Sequence, residues 1–181
     1  MATTTEATVE ELYNVPGKAE IVNGEIILMS PTGDAPSTAA GEIFVSLHAY
    51  GQRTMSGRPY TDNTGFKVDL PNRRSFSPDV AFHTGGRTGM RFLEGAPVFA
   101  VEVRSESDYG PLAEREIASK RADYFSAGTL VVWDVDLLSE DVITSYDADH
   151  LDTPIIYRRN DIAKAELALP AWEFPVNKLF E

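Results

Sequence analysis

Cysteine is absent from this 181-residue chain, which excludes disulfides and thiolate metal sites. Histidine is scarce, and His48, His83 and His150 share neither helical nor hairpin spacing, so a zinc centre finds no ligand set. No apolar run approaches the roughly 18 residues of a membrane span, and Met1-Ala2-Thr3-Thr4-Thr5 lacks the apolar core of a signal peptide. The expectation is a soluble, cytoplasmic protein with no membrane partner. A Gly-x-Ser-x-Gly nucleophile elbow is missing. The stretch Gly85-Gly86-Arg87-Thr88-Gly89 is not closed by a lysine followed by Ser or Thr, so it is no P-loop.

Positive charge is also in deficit. Sixteen Lys and Arg face 28 Asp and Glu, a net charge of −12 that argues against a general nucleic-acid binder. The deficit is uneven: residues 101–181 hold 17 acids and 8 bases, whereas the band from 53 to 91 is net +4. Within that band Arg73, Arg74, Arg87 and Arg91 are candidates for a phosphate-facing rim, with a solvated loop surface as the plainer explanation.

What is present describes a folded domain. Hydrophobic residues make up 43% and aromatics 10%, enough for one full core over residues 8–181 behind a disordered tail at 1–7. Thr8-Val9-Glu10-Glu11 reads as a capping box, and Pro16-Gly17 stops the short helix it opens. Residues 20–29 form a hairpin around Asn23-Gly24. Ala40, Ile43, Phe44, Leu47 and Tyr50 recur every three or four residues, predicting a helix over 37–54. Strands are expected near 60–69, 77–83 and 97–104. A second helix follows over 111–127, with Pro111 at its start and Gly128 past its end. Leu130–Asp136 reads as a buried strand, 142–146 and 154–158 as edge or hairpin strands, and the tail around Trp172 packs back. The class is α/β, with a core order of helix, three strands, helix, strand.

Two strands carry an anomaly. Ser77-Pro78-Asp79-Val80-Ala81-Phe82 and Val98-Phe99-Ala100-Val101-Glu102-Val103 are apolar runs, each interrupted by one carboxylate. Burying an unpaired charge is costly, so each acid needs a cation. Two carboxylates about 4 Å apart repel by roughly 4 kcal/mol at an effective dielectric near 20. Either one acid takes up a proton or a divalent cation binds between them. Oxygen-only ligation suits Mg²⁺ or Mn²⁺. The plainer alternative is that the acids stand apart, each paired with an arginine such as Arg104 or Arg91. In the second helix Ala113, Ile117, Lys120 and Tyr124 share one stripe, which places an ammonium on or beside the sheet-facing side. An i, i+4 pair with Glu116 is its ordinary alternative. Asp134 and Asp136 end a strand, where exposed acids are common, and Glu20 and Glu25 flank the hairpin turn as solvated groups.

The ordered set Glu20-Ile21-Val22-Asn23-Gly24-Glu25, Met29-Ser30-Pro31, Pro78-Asp79-Val80-Ala81, Gly95-Ala96-Pro97, Val101-Glu102-Val103-x-Ser105, Lys120-x-x-x-Tyr124, Ala127-Gly128 and Trp133-x-Val135-Asp136 resembles the Uma-two family of restriction-endonuclease-like proteins. The resemblance runs from about residue 8 to 180. It implies a PD-(D/E)XK nuclease core with an N-terminal hairpin and C-terminal β additions. By resemblance Asp79 and Glu102 match the metal-binding acids, and Lys120 supplies the lysine from the following helix. Arg104 stands at the literal lysine position, where it can stabilise charge but not act as a base. Glu42 takes the first-helix position where related nucleases place an extra acid. Ser105-Glu106-Ser107 replaces the family's usual Ser-Pro-Ser.

The resemblance implies a Mg²⁺- or Mn²⁺-dependent endonuclease acting on DNA, as a homodimer if both strands are cut. The competing expectation is a catalytically silent binding or assembly module on the same fold. If the acids share a metal, their oxygens should lie within about 5 Å of each other with the Lys120 amine turned toward them.

Overall fold

A computed structural model of the chain describes residues 6–181, so the expected tail lies, as far as Thr5, outside the described residues. From Ala7 the chain is anchored, its N–H donating to the Gly24 carbonyl at 2.8 Å. The elements run α1 (Val9–Leu12), β1 (Ala19–Val22), β2 (Glu25–Leu28), α2 (Asp34–Thr54), β3 (Arg58–Thr61), β4 (Phe66–Lys67), β5 (Ser75–Phe76) and β6 (Val80–His83). Then come β7 (Leu93–Glu94), β8 (Phe99–Val103), α3 (Pro111–Ser126), β9 (Val131–Val135), β10 (Ile143–Asp147), β11 (Ile155–Tyr157), β12 (Ile162–Lys164) and β13 (Glu173–Pro175). A 3₁₀ turn, Val176–Phe180, closes the chain.

Local chemistry sets these boundaries. Thr8 caps α1 and Glu11 reaches back to the Thr8 N–H at 2.7 Å, completing the capping box. Asn23 and Gly24 both take positive φ (51° and 77°), the pair of left-handed residues a two-residue hairpin turn needs. α3 starts on Pro111 and ends before Gly128, whose φ of 100° lets Thr129 N–H fold back to the Tyr124 carbonyl. α2 begins three residues before the expected start, capped only by Gly33 backbone.

A six-stranded sheet, ordered β11-β10-β9-β8-β6-β3, is the centre of the molecule. β3, β6 and β8 form an antiparallel meander, and α3 is the crossover that lays β9 parallel to β8. With α2 in front, this is the expected order of helix, three strands, helix, strand. Alternation gives the sheet two different faces. One carries Val80, Phe82, Phe99, Val101, Val103 and Trp133, packed with Ile43 and Leu47 of α2 and with Trp172 of the tail. The other carries Ala81, Ala100 and Val132, packed with Phe76 and with Tyr124 of α3. Small residues on this second face let α3 come close.

The strand expected over 60–69 is two strands in two sheets. Thr61 ends β3, Asn63 turns left-handed (φ 61°), and Phe66-Lys67 restarts as β4 in a small sheet ordered β5-β4-β7. The β12–β13 pair is too short to leave an alternating pattern; it seats Ala163 and Phe174 in the core. No helix among the described residues is long and apolar enough to cross a membrane.

His83 lies where the small sheet meets the large one, its ring 5.7 Å from Phe66 and 6.4 Å from Tyr60. Its Nδ1 accepts the Gly85 N–H at 3.2 Å, so its Nε2 carries the proton and donates to the Glu94 carbonyl at 3.2 Å. Protonating Nδ1 would cost the Gly85 bond, and burial first, then nearby Arg58, lowers the ring's pKa. The unfolded chain takes up a proton near pH 6.5 that the folded ring resists. This contribution to stability is complete above about pH 6.5 and is lost as pH falls through the folded pKa. Urea denaturation at pH 7.5 and pH 5.5 should therefore show a smaller acid loss in His83→Gln than in the parent. Equal losses would mean that another group sets the slope.

Candidate active site

The pairing of β6 with β8 runs Val80↔Val101, Ala81↔Ala100, Phe82↔Phe99. Carried one residue further, this register sets Asp79 opposite Glu102, on the face shared with Ala81 and Ala100, where directly opposed side chains lie about 5 Å apart at Cβ. Asp79 is held on both sides. Its Oδ2 accepts the Val103 N–H at 2.7 Å, and its Oδ1 meets the Lys18 ammonium at 2.7 Å. Glu102 Oε1 accepts the Tyr124 hydroxyl at 2.6 Å and the Lys120 ammonium at 2.8 Å. Lys120 therefore turns from α3 to the sheet and not to Glu116.

A third carboxylate completes the centre. Glu20 Oε1 lies 2.9 Å from Lys120 Nζ and accepts the Ser77 N–H at 2.8 Å, while its Oε2 pairs with Arg73. Arg73 also donates from Nε to Asp123 at 2.8 Å, and Asn72 donates to the other oxygen of Asp123 at 2.9 Å. The hairpin reaches the site because β1 docks along 72–75. Asn23 N–H donates to Asn72, Arg74 N–H to Ile21, and Ile21 N–H to the Ser75 hydroxyl. Glu20 is 1% exposed, against the solvated position expected beside the hairpin turn.

Burial and charge pull these groups apart in acidity. Burial opposes ionisation of Glu20, but Lys120 and Arg73 outweigh it and hold its carboxyl below the ordinary value. Glu102 is pushed above the ordinary value, by burial first and then by Asp79 and Glu20, against the pull of Lys120 and Lys18. Burial works against the Lys120 ammonium, yet Glu102 and Glu20 raise its pKa, so it is a fixed cation and not a base. Burial, Glu102 and Glu20 raise Tyr124 well above a free phenol, which keeps it a hydrogen-bond donor.

Other residues singled out in the sequence lie elsewhere. Arg104 donates from Nε and Nη2 to Asp134 at 2.8 and 2.7 Å and also pairs with Glu114, tying the ends of β8 and β9 to the first turn of α3. It does not join Glu102. Asp134 is 7% exposed, because Arg104 neutralises it, and is not the open strand-end acid expected. Arg73 is 5% exposed and belongs to the buried network, so it does not face outward toward phosphate. Arg74 pairs with Asp69, Arg91 pairs with Glu10, and Arg87 is exposed. Glu42 is half-buried on α2, and no ion pair or side-chain hydrogen bond among the described residues links it to the centre. Lys18, Glu20 and Asp123 gave no distinguishing cue. Tyr124 did, through its helical spacing from Lys120.

A hollow of about 220 Å³ opens against Asp79, lined by Pro36, Ser37, Ala40 and Phe44 of α2 with Asp62 and Val80. Among the described residues no group of three or more His, Asp or Glu forms a ready metal cage. Asp79 and Glu102 nevertheless fit a hard divalent cation. Their donors are all oxygen, and Glu102 Oε2 takes part in no hydrogen bond among the described residues. Five carboxylates (Glu20, Asp62, Asp79, Glu102 and Asp123) surround three cations (Lys18, Arg73 and Lys120), leaving two negative charges. Mg²⁺ commonly takes one or two protein carboxylates and fills its remaining positions with water and substrate oxygens.

Comparison with known proteins agrees with this architecture. A solved structure of a putative nuclease belonging to DUF820, from Anabaena variabilis ATCC 29413, superposes with a TM-score of 0.74 at 14% identity, covering 96% of this chain and 97% of that one. The fold is thus restriction-endonuclease-like. The family model Uma2, described as "Putative restriction endonuclease", matches residues 7–177, and the chain belongs to that family. No curated protein matches the chain.

Glu20 is the structural carboxylate of the centre, Glu102 the one its surroundings disfavour. Glu20→Ala should cost about 3–5 kcal/mol, because it strands Arg73 and Lys120 in the interior. Glu102→Gln should cost less than about 1 kcal/mol, since Lys120 keeps Glu20. Guanidinium denaturation of the two variants checks the order, and a reversed order would refute it.

Proposed function

We propose that this chain is a divalent-metal-dependent endonuclease that hydrolyses DNA phosphodiester bonds. The observation that carries the reading is that Asp79 and Glu102 share one sheet face by register, that the Lys120 ammonium contacts Glu102, and that Asp79 borders a hollow. Asp79 and Glu102 would hold Mg²⁺ or Mn²⁺, which supplies a lowered pKa for bound water and stabilisation of the leaving oxygen. Lys120 stays charged beside Glu102 and faces the negative charge that grows on phosphate in the transition state. Glu20 and Tyr124 fix that ammonium and the Glu102 carboxylate from behind, so little reorganisation is needed when charge develops. The hollow beside Asp79, walled by Pro36, Ser37, Ala40 and Phe44 of α2, offers the approach for a sugar–phosphate segment. Cutting both strands calls for two such sites, and hence a homodimer.

A second reading, a silent nuclease-fold module, draws support from one specific observation: a lysine already sits on each of the two acids. Nicking of supercoiled plasmid separates the two. With Mg²⁺ or Mn²⁺ the parent should nick, and chelation should stop it. Asp79→Asn and Lys120→Met should each lower the rate by about 10²-fold or more with unchanged circular dichroism. Arg104→Ala should retain most of its activity. A parent inert with both metals across a range of salt would favour the silent module.

A further inference from the structure

Lys18 touches one of the two proposed metal-binding acids, yet the proposed chemistry gives it no task. Its backbone is fixed just ahead of β1, where its carbonyl accepts the Met29 N–H at 3.0 Å. Its ammonium is shared between Asp79 Oδ1 at 2.7 Å and Asp62 Oδ1 at 2.6 Å. The two carboxylates are not equivalent. Asp79 is 13% exposed and locked by the Val103 N–H through Oδ2, so Oδ1 is the atom it turns toward a cation. Asp62 is 44% exposed, follows β3, and lines the hollow, which Glu102 does not.

We infer that Lys18 is a tethered competitor for the metal at Asp79, and that Asp62 is the counter-ion that keeps the ammonium when a divalent cation takes Asp79 over. This inference rests on the metal reading of the Asp79–Glu102 pair. The reasoning is electrostatic. An ammonium and a divalent cation on the same carboxylate oxygen repel strongly at such short range, so one must yield. Lys18 need not leave the site to do so, because it already touches Asp62. Metal uptake becomes an exchange in which the chain's own cation moves along the rim, and resting Asp79 is never left as an unpaired buried charge.

The consequence is a pair of substitutions with opposite signs that do not add. Mn²⁺ titrated calorimetrically into the full chain at fixed ionic strength should bind about tenfold more tightly to Lys18→Met than to the parent. It should bind several-fold more weakly to Asp62→Asn, where the displaced ammonium has lost its counter-ion. In the double variant the penalty of Asp62→Asn should vanish, since no ammonium remains to be placed. Lys18→Gln, which keeps a hydrogen bond to Asp79 without the charge, substitutes for Lys18→Met if the latter does not fold. Equal or weaker Mn²⁺ binding in the uncharged variants overturns the inference while leaving the metal site standing. So does an Asp62→Asn penalty of the same size with and without Lys18, which would make Asp62 a general attractor of cations. Absence of Mn²⁺ heat in the parent and in every variant removes the metal reading itself, and the inference with it.

Discussion

Glu20 is a carboxylate with almost no access to water that accepts from three different parts of the chain. The Lys120 ammonium reaches it from α3, the Arg73 guanidinium from the turn before β5, and the Ser77 N–H from the link into β6. Each partner is itself buried or nearly so, and each would be destabilising alone. Together they cement the N-terminal hairpin, the small sheet and the crossover helix around one charge. Lys120 can face Glu102 only because Glu20 shares the cost of its burial. Arg73, lying over the Phe76 ring at 4.9 Å, can be interior only because Glu20 and Asp123 flank it. The positions of Glu102 and Tyr124 depend in turn on that arrangement.

Three carboxylates lie side by side across the sheet, and their neighbours give them separate fates. Glu102 stands opposite Asp134 on the parallel side and, by register, opposite Asp79 on the antiparallel side. Asp134 is closed off by a two-point contact with Arg104, a geometry that suits a guanidinium. Asp79 and Glu102 each meet their cation through a single ammonium contact, beside one neutral donor apiece. Such a contact is easier to exchange than a two-point guanidinium pair. The sheet thus presents a row of like charges, one end fixed and the other end labile. The labile end opens onto the hollow beneath α2.

Much of this was legible from residue order. Periodicities of two and 3.6 mark the strands and both long helices, so the helix–three strands–helix–strand core follows from pattern alone. Asp79 and Glu102 stood out because each interrupts a β-rich apolar run, and Lys120 because its helical stripe is otherwise apolar. What could not be read turns on contrasts between near-identical neighbours. Glu20 and Glu25 bracket the same turn, yet only Glu20 is buried, because β1 and not β2 docks on residues 72–75. Arg73 and Arg74 are adjacent, and one is interior while the other meets Asp69 at the surface. Arg104 occupies the spacing at which a motif search seeks the basic group. Arg104 instead braces α3 through Glu114, while the ammonium that meets Glu102 comes from α3. These outcomes belong to tertiary docking, which a single sequence does not display.

The ion pairs that tie the hairpin to the turn and to the strand, Glu20–Arg73 and Lys18–Asp79, span 53 and 61 residues, and Lys120 comes later still. A chain emerging from the ribosome therefore exposes Glu20 long before its cationic partner from α3, Lys120, exists. Closing such distant contacts is the slow part of folding, and the β8–α3–β9 crossover adds a non-local strand pairing to the same step. The charged centre can close only once α3 has been made, so a partly synthesised chain holds Glu20, Asp79 and Glu102 before the ammonium that α3 brings to two of them.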